Sequence, residues 1–431
     1  IAFSIAGAGV KTIAPLTILP TITEQVVIDG TTQPGFAGAP LIELSGASCA
    51  TSPCHGLWIT AGSSTVKGLI VNRFAGRGIF LDTGDGHTIT GNYIGTNSAG
   101  TAAAGNNTGI YATNSANNTI GGAASNLRNV ISGNHIDGVN FNGAGSTGNT
   151  VLGNYIGVDV NGTAGLGNLF SGVVILNGAA NNTVGGAYAA GRNIISGNQQ
   201  YGVGLNGTAA NVTGNVIAGN YIGLDVTGAL DLGNTLDGVI VLNASGNVVG
   251  TSTPGVGIYN IISGNDQNGV LITGTLSSGN QVLFNTIGLN QAGNSALGNS
   301  LSGVRIVNAP NNIVGGVWGT TGNLISSNQD HGVYISGSGA TGNTVKGNRI
   351  GTDINGNSFL GNADEGVLIE NAANNTVGGA SGVTLGGACS GECNLISGLN
   401  KDGVVLRGSG ATGNIVQSNI IGLNLGGTSA R

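Results

Sequence analysis

The pentapeptide GNYIG stands at Gly91–Gly95 and recurs unchanged at Gly153–Gly157 and Gly219–Gly223. It returns in altered form as FNTIG, GNRIG and SNIIG, at Phe284–Gly288, Gly347–Gly351 and Ser418–Gly422. Two other motifs, typified by NNTVGG and NIISGN, lie between these copies, and neighbouring copies of one motif are roughly 62 to 71 residues apart. A repeat of this length indicates a solenoid, in which each coil packs only on its neighbours.

Each long repeat contains two coils, because asparagines that open short apolar strands recur about every 32 residues. One set opens strands of the N-T-V type, at Asn118, Asn149, Asn182, Asn215, Asn247, Asn280, Asn312, Asn343, Asn375 and Asn414. A second set opens strands of the N-x-I type, at Asn92, Asn129, Asn154, Asn193, Asn220, Asn260, Asn285, Asn323, Asn348, Asn394 and Asn419. Gaps in the second set alternate between about 25 and about 39 residues, which predicts two alternating loop lengths.

A third strand in each coil follows a glycine, and its residues alternate between two sets of positions, as in GVVIL at Gly172–Leu176. We expect Val173 and Ile175 to face the interior and Val174 the exterior, because successive side chains of a strand point to opposite faces. Strands this short are unstable alone. Each is therefore expected to pair with its counterparts in the coils above and below, about 4.8 Å away.

The repeated asparagines are interpreted as architecture rather than as a site. A neutral amide can donate to and accept from the identical amide one coil away, whereas a column of like charges would repel. Both sets are therefore predicted to form continuous ladders.

IDGTTQPG at Ile28–Gly35, followed by GNYIG, NNTIGG and ISGN motifs, resembles the secreted bacterial right-handed parallel β-helix repeat proteins of the pectate-lyase-like superfold. The resemblance covers essentially the whole chain. It implies an all-β, single-stranded right-handed parallel β-helix with three strands per coil and about 12 coils. It says little about activity, because this superfold hosts lyases, hydrolases, epimerases, tailspikes and adhesins.

The two ends of the chain differ from its middle. Residues 1–77 carry five of the seven prolines and are predicted to form an N-terminal cap with the first irregular coils. Residues 78–431 are predicted to be regular β-helix repeats. The last ladder strand is followed by only nine residues, so we expect either that the natural chain continues or that its open edge stacks end to end.

The amino-acid composition excludes some classes of binding partner. The net charge is −6 and the twelve Lys and Arg residues form no run, which argues against nucleic-acid binding. No apolar stretch approaches the ~20 residues of a membrane span. Two close cysteine pairs, Cys49 with Cys54 and Cys389 with Cys393, are expected to form disulfides, which indicates a secreted or cell-surface protein.

The densest titratable group precedes three successive strands of the glycine-led type. His331, Glu365 and Asp402 stand directly before the opening glycines, and Asp330, Asp364 and Lys401 stand one residue earlier. Arg305 and Tyr334 lie at nearby outward positions. The candidate catalytic residues are therefore Arg305, His331, Tyr334, Glu365 and Asp402. Stacking could raise the pKa of one of these carboxyl groups, or the carboxylates could bind Ca²⁺. The alternative is that these residues are ordinary charges on a solvated turn edge without a function. No other cofactor is expected.

Another outward column holds Tyr93, Tyr155 and Tyr221. We expect the long loops to cover it, with partner contact and sugar stacking as alternatives.

Low charge, regular ladders, an open end and the lack of lyase, polygalacturonase or epimerase signatures favour a non-catalytic extracellular protein. We predict a structural or adhesive β-helix, which could form fibres by end-to-end or lateral packing with itself. The alternative is a polysaccharide lyase or glycoside hydrolase that acts on an extracellular carbohydrate at the candidate residues.

Overall fold

The structure is a computed structural model that describes residues 1–186, 188–253, 259–383 and 387–430. These residues form the expected right-handed parallel β-helix, with three strands per coil and almost no helix. Their strands lie in three parallel sheets of 12, 13 and 14 strands. The right-handed connection is the one that twisted parallel strands favour.

Sheet 1 contains the strands that follow the opening glycines. Its members among the described residues are Leu57–Ile59, Arg77–Asp82, Thr108–Thr113, Val139–Asn142, Val173–Leu176, Val203–Asn206, Val239–Leu242, Val270–Thr273, Val304–Val307, Val333–Ser336, Val367–Glu370 and Val404–Arg407.

Sheet 2 contains the N-T-V strands. Within the described parts of the chain these are Val27–Asp29, Thr65–Lys67, Thr88–Thr90, Thr119–Gly121, Thr150–Leu152, Thr183–Gly185, Val216–Ala218, Val248–Gly250, Gln281–Leu283, Ile313–Gly315, Thr344–Lys346, Thr376–Val377 and Ile415–Val416.

Sheet 3 contains the N-x-I strands. Its described members are Lys11–Ile13, Ile42–Ser45, Leu69–Asn72, Tyr93–Ile94, Val130–Ile131, Tyr155–Ile156, Ile194–Ile195, Tyr221–Ile222, Ile261–Ile262, Thr286–Ile287, Leu324–Ile325, Arg349–Ile350, Leu395–Ile396 and Ile420–Ile421. Short 3-10 turns occur at Gly30–Thr32, Gly46–Ser48, Ser125–Leu127 and Ala189–Gly191. No helix in the described segments is long and apolar enough to cross a membrane.

The chain forms two compact units, Ile1–Gly204 and Leu205–Arg431. In the first unit Val173 and Ile175 are fully buried, as predicted. In the second unit the equivalent columns, from Val239 and Val241 to Val367 and Ile369, are also fully buried. The division at residue 77 rests on the regularity of the repeats and stays a prediction.

Both asparagine ladders are confirmed, and Asn323 shows their bonding. Its Nδ2 donates to Oδ1 of Asn348 at 2.9 Å and to the Val282 carbonyl at 2.8 Å. Its backbone N–H donates to the same Asn348 oxygen at 3.0 Å. Its own Oδ1 accepts from Nδ2 and the backbone N–H of Asn285, both at 3.0 Å. The buried amide is thereby satisfied on both sides, as a polar group in a dry interior requires.

A third asparagine ladder, which the sequence analysis missed, lies at the turn before sheet 1. Asn299 Nδ2 donates to Oδ1 of Asn328 at 2.9 Å, and Asn328 Nδ2 donates to Oδ1 of Asn362 at 2.8 Å. Its other described rungs are Asn106, Asn134, Asn168 and Asn198 in the first unit, and Asn234 and Asn265 in the second. The signal was an asparagine shortly before the opening glycine, in most coils the last residue of an SGN or LGN tripeptide. Asn106 instead ends AGN, Asn328 ends SSN, and Leu399 takes this position before Gly403.

The longer loops of alternate coils stack on one another. In the second unit the backbone N–H of Gln291 donates to the Gly228 carbonyl, and that of Ile354 to the Gly293 carbonyl, both at 2.9 Å. Asp353 holds its loop closed, since its carboxylate accepts the backbone N–H groups of Asn357 and Ser358. These loops cover the outward side of sheet 3, as expected.

Burial by the loops leaves Tyr155 in the first unit and Tyr221 in the second only 5% and 1% exposed. Neither ring is therefore available for sugar stacking. Both expected disulfides are present, between Cys49 and Cys54 and between Cys389 and Cys393.

Candidate functional site

The candidate site lies in the second unit, at the turn edge where the chain enters sheet 1. The strands Val333–Ser336, Val367–Glu370 and Val404–Arg407 pair in register, Val333 with Val367 and Val367 with Val404. The side chains just before each strand therefore stack in columns along the edge. The first column contains Asp330, Asp364 and Lys401, and the second contains His331, Glu365 and Asp402.

His331 lies beneath the carboxylates and is almost buried, with 7% of its side chain exposed. Its Nδ1 is 2.8 Å from Oε2 of Glu365, whose side chain is 5% exposed, and its Nε2 is 3.3 Å from Oδ1 of Asp330. The Nδ1 and Oε2 atoms are close, yet neither meets the angular geometry of a hydrogen bond. The imidazole is therefore placed between two carboxylates without an aligned partner at Nδ1.

Asp330 and Asp364 are the accessible carboxylates of the site, with 29% and 26% of their side chains exposed. Their oxygens and a ring nitrogen of His331 all lie within 4.8 Å of one another. Asp330 Oδ2 accepts from the Ser302 hydroxyl at 2.8 Å. Asp364 forms an ion pair with Lys401, which holds the pKa of Asp364 below its usual range despite some burial.

The outward face of sheet 1 continues the site beside His331. The rings of His331 and Tyr334 are 5.0 Å apart and nearly perpendicular. Burial, and then the Glu370 carboxylate that accepts from its hydroxyl, raise the pKa of Tyr334. The Arg305 guanidinium lies 5.0 Å from the centre of the Tyr334 ring. Arg407 Nη2 is 3.1 Å from Oε1 of Glu365.

Four of the five predicted catalytic residues thus form one cluster: Arg305, His331, Tyr334 and Glu365. Asp402 is exposed, and among the described residues its side chain makes no hydrogen bond or ion pair, although its backbone carbonyl accepts from the Gly366 N–H. Glu370 and Arg407 were missed. Their signal was the alternation of the strand. The residues aligned with the outward-facing Tyr334 are Leu368 and Val405, and Glu370 and Arg407 stand two residues after them, on the same outward face.

The cluster carries more negative than positive charge. Its four carboxylates are Asp330, Asp364, Glu365 and Glu370, and its three fixed cations are Arg305, Lys401 and Arg407. The difference is one negative charge when His331 is neutral. Such a surface favours a neutral ligand over a strongly anionic one.

Asp330, His331 and Asp364 are close enough to hold a metal ion. They fit Ca²⁺ poorly, because that ion takes about six to eight oxygen ligands and Lys401 already neutralises Asp364.

No protein-family model matches the sequence, and no curated protein is significantly similar to it. The fold matches the periplasmic alginate epimerase AlgG with a TM-score of 0.50 and 12% identity, over 95% of this chain and 78% of that one. The Azotobacter vinelandii mannuronan C-5 epimerase AlgE6 A-module is 15% identical, over 96% and 91% of the two chains, with a TM-score of 0.36. The GH87 α-1,3-glucanase catalytic unit of Streptomyces thermodiastaticus strain HF3-3 is 12% identical, over 97% and 70%, with a TM-score of 0.41.

These comparisons contradict the prediction of a non-catalytic structural or adhesive protein. AlgG, which matches with a TM-score of 0.50, is an epimerase by its title and not a structural protein. At 12% identity it establishes the fold of this chain and nothing about its reaction. Missing family signatures are no evidence against catalysis, because one fold can host many different sites.

Proposed function

We propose that the chain is a secreted glycoside hydrolase that cleaves a neutral polysaccharide at the carboxylate pair Asp330 and Asp364. The observation that carries the proposal is the proximity of these two accessible carboxylates on adjacent coils, within 4.8 Å, with contrasting partners. Hydrolysis of glycosides commonly uses such a pair, one member as acid and the other as nucleophile or base.

We infer the role of each carboxylate from its partners. Lys401 keeps Asp364 ionised, which suits the carboxylate that attacks the anomeric carbon. Asp330 accepts a hydrogen bond from the Ser302 hydroxyl and lies next to Nε2 of His331, and no lysine or arginine in the described part of the chain is paired with it. We therefore assign Asp330 as the acid that protonates the glycosidic oxygen as its bond to the anomeric carbon breaks.

The spacing favours retention of configuration. Carboxyl groups about 5 to 5.5 Å apart are typical of retaining enzymes, whereas inverting enzymes separate them by about 6.5 to 9.5 Å. Asp364 would form the glycosyl ester. Asp330 would then take a proton from the water that releases the sugar.

A polysaccharide lyase is the second candidate. Tyr334 keeps its proton because its pKa is raised, so its hydroxyl could protonate a departing oxygen. Arg305 and Arg407 on the same face could neutralise a uronate carboxylate. The net negative charge of the cluster disfavours an anionic uronate substrate, so the lyase is the weaker of the two candidates.

The test is incubation with neutral and acidic polysaccharides, followed by assays of reducing ends and of ultraviolet absorbance from unsaturated products. Hydrolysis predicts reducing ends without absorbance, and loss of at least a hundredfold in rate for Asp330→Asn and Asp364→Asn. Asp266→Asn, which changes an exposed carboxylate on the same edge, should keep full activity. Absorbing products would instead establish the lyase, and an inactive protein across the whole panel would refute both.

A further inference from the structure

One coil of the second unit departs from the repeat on the outward side of sheet 3. GNYIG at Gly219–Gly223 becomes FNTIG at Phe284–Gly288 in the next long repeat. A tyrosine is thereby replaced by Thr286, and a glycine by Phe284. Both changes fall at one place, beneath the stacked loops.

The shorter side chain leaves a space that the tyrosine fills in the preceding repeat. The Tyr221 ring lies directly under its loop, since a Cβ added to Gly228 would come within 2.9 Å of the ring. At the equivalent loop glycine, Gly293, the nearest atoms belong instead to Ile354 and Leu324. The space over Thr286 is a mostly apolar cavity of about 90 Å³, whose lining includes Tyr259, Phe284, Leu324, Ile354 and Arg349.

Phe284 is held in a strained conformation beside this cavity. Its φ of 53° is left-handed, and the corresponding positions Gly219 and Gly347 have φ values of 76° and 70°. A bulky residue rarely adopts such a backbone, and strain of this kind concentrates at functional sites. The ring packs edge to face with Tyr259 at 5.7 Å, so it forms one wall of the cavity.

Arg349 provides the polar group. It occupies the tyrosine position of the following repeat, and its guanidinium lies 4.4 Å over the Trp318 ring. Its Nε is buried and has no hydrogen-bond partner. Among the described residues that line the cavity, Arg349 alone carries a charge. A buried donor without a partner is costly unless a ligand satisfies it.

We propose that this cavity binds a small organic carboxylate with a short aliphatic body, such as a branched acid of four or five carbons. The guanidinium would pair with the carboxylate, and the walls formed by Tyr259, Phe284 and Leu324 would take up the aliphatic part. The volume is enough for roughly six water-sized groups, which sets the size limit. This site is independent of the carboxylate cluster at sheet 1.

The test is titration of the whole protein with isobutyrate and, separately, with its neutral analogue isobutyramide, followed by calorimetry or by the signals of aromatic protons. We expect saturable binding of isobutyrate and at least tenfold weaker binding of isobutyramide. Arg349→Gln should remove this preference, with isobutyrate binding at least tenfold weaker. Thr286→Tyr, which restores the residue of the earlier repeats, should fill the cavity and abolish binding of both.

Equal binding of the acid and the amide, or unchanged isobutyrate affinity in Arg349→Gln, would refute an anion site. No saturable binding by the wild-type protein would refute the proposal altogether. If Thr286→Tyr fails to fold, Thr286→Ile provides the same test, because isoleucine occupies this column at Ile261 one coil away. Tyr188→Ala, which removes an exposed ring in the first unit, is the matched control and should bind as the wild type.

Discussion

Glu365 bridges His331 and Arg407 across three successive coils. Its Oε2 lies 2.8 Å from Nδ1 of His331, and its Oε1 lies 3.1 Å from Nη2 of Arg407. The carboxylate is itself too buried to reach a substrate. Its charge lies against the imidazole without an aligned hydrogen bond while the other ring nitrogen faces Asp330, so we regard Glu365 as a positioning residue.

Glu365→Gln should therefore lower kcat while leaving KM within about twofold. The amide keeps the volume but loses the charge that orients His331, and loss of such a partner typically costs about 10- to 100-fold. Steady-state kinetics on the polysaccharide found by screening would measure it. Glu24→Gln, at an exposed glutamate, is the control. A rise in KM alone would show that Glu365 serves substrate binding instead.

Lys401→Met should shift the acidic limb of the pH–rate profile to higher pH. Lys401 depresses the pKa of Asp364, so that this carboxylate stays ionised as the pH falls. Without the ammonium the pKa of Asp364 rises and the ionised form is lost at a higher pH. The change should be larger at low salt, because both groups reach solvent. Lys11→Met, at a lysine of the first unit, should leave the profile unchanged. An unshifted profile in Lys401→Met would remove Asp364 from its proposed role.

Asn328→Leu should destabilise the protein more than Asn362→Leu. Asn328 bonds to Asn299 on one side and Asn362 on the other, whereas the rung after Asn362 is already a leucine, Leu399. The first change leaves unpaired groups on two coils and should cost about 2 to 4 kcal/mol, against about 1 to 2 kcal/mol for the second. Denaturant unfolding measures both, with Asn400→Ala as an exposed control. Equal losses would mean that the third ladder contributes no bonding along its length.

Asp237→Asn should stabilise the protein above neutral pH. Burial raises the pKa of Asp237, although Asn268 donates to its carboxylate from both the backbone N–H and Nδ2. A raised pKa means that the contribution of the group to stability is present at low pH and is lost as the pH rises through the folded-state value. An amide avoids that loss and can still accept both bonds. We expect a gain of about 1 kcal/mol at pH 8 and a smaller one at pH 4, measured by thermal unfolding. A loss of stability at pH 8 would show that the ionised carboxylate is needed.

The sequence predicted the coil, its strands and two ladders because each is written in a local motif with a fixed period. It also brought together His331, Glu365 and Tyr334, since residues at equivalent places in successive coils must stack. It could not distinguish the partners within a column. Whether Asp402 meets Arg407, or Glu365 does, depends on side-chain rotamers and burial rather than on spacing.

The stacked loops determine how such a protein can change in length. A loop of one coil bonds to the loop two coils away, as Gln291 does to Gly228 and Ile354 to Gly293. Removing one coil would therefore set a long loop against a short one and leave these backbone groups unpaired. Removing two coils together would restore every contact. The unit of duplication and deletion in evolution, or of shortening in protein engineering, is thus a pair of coils.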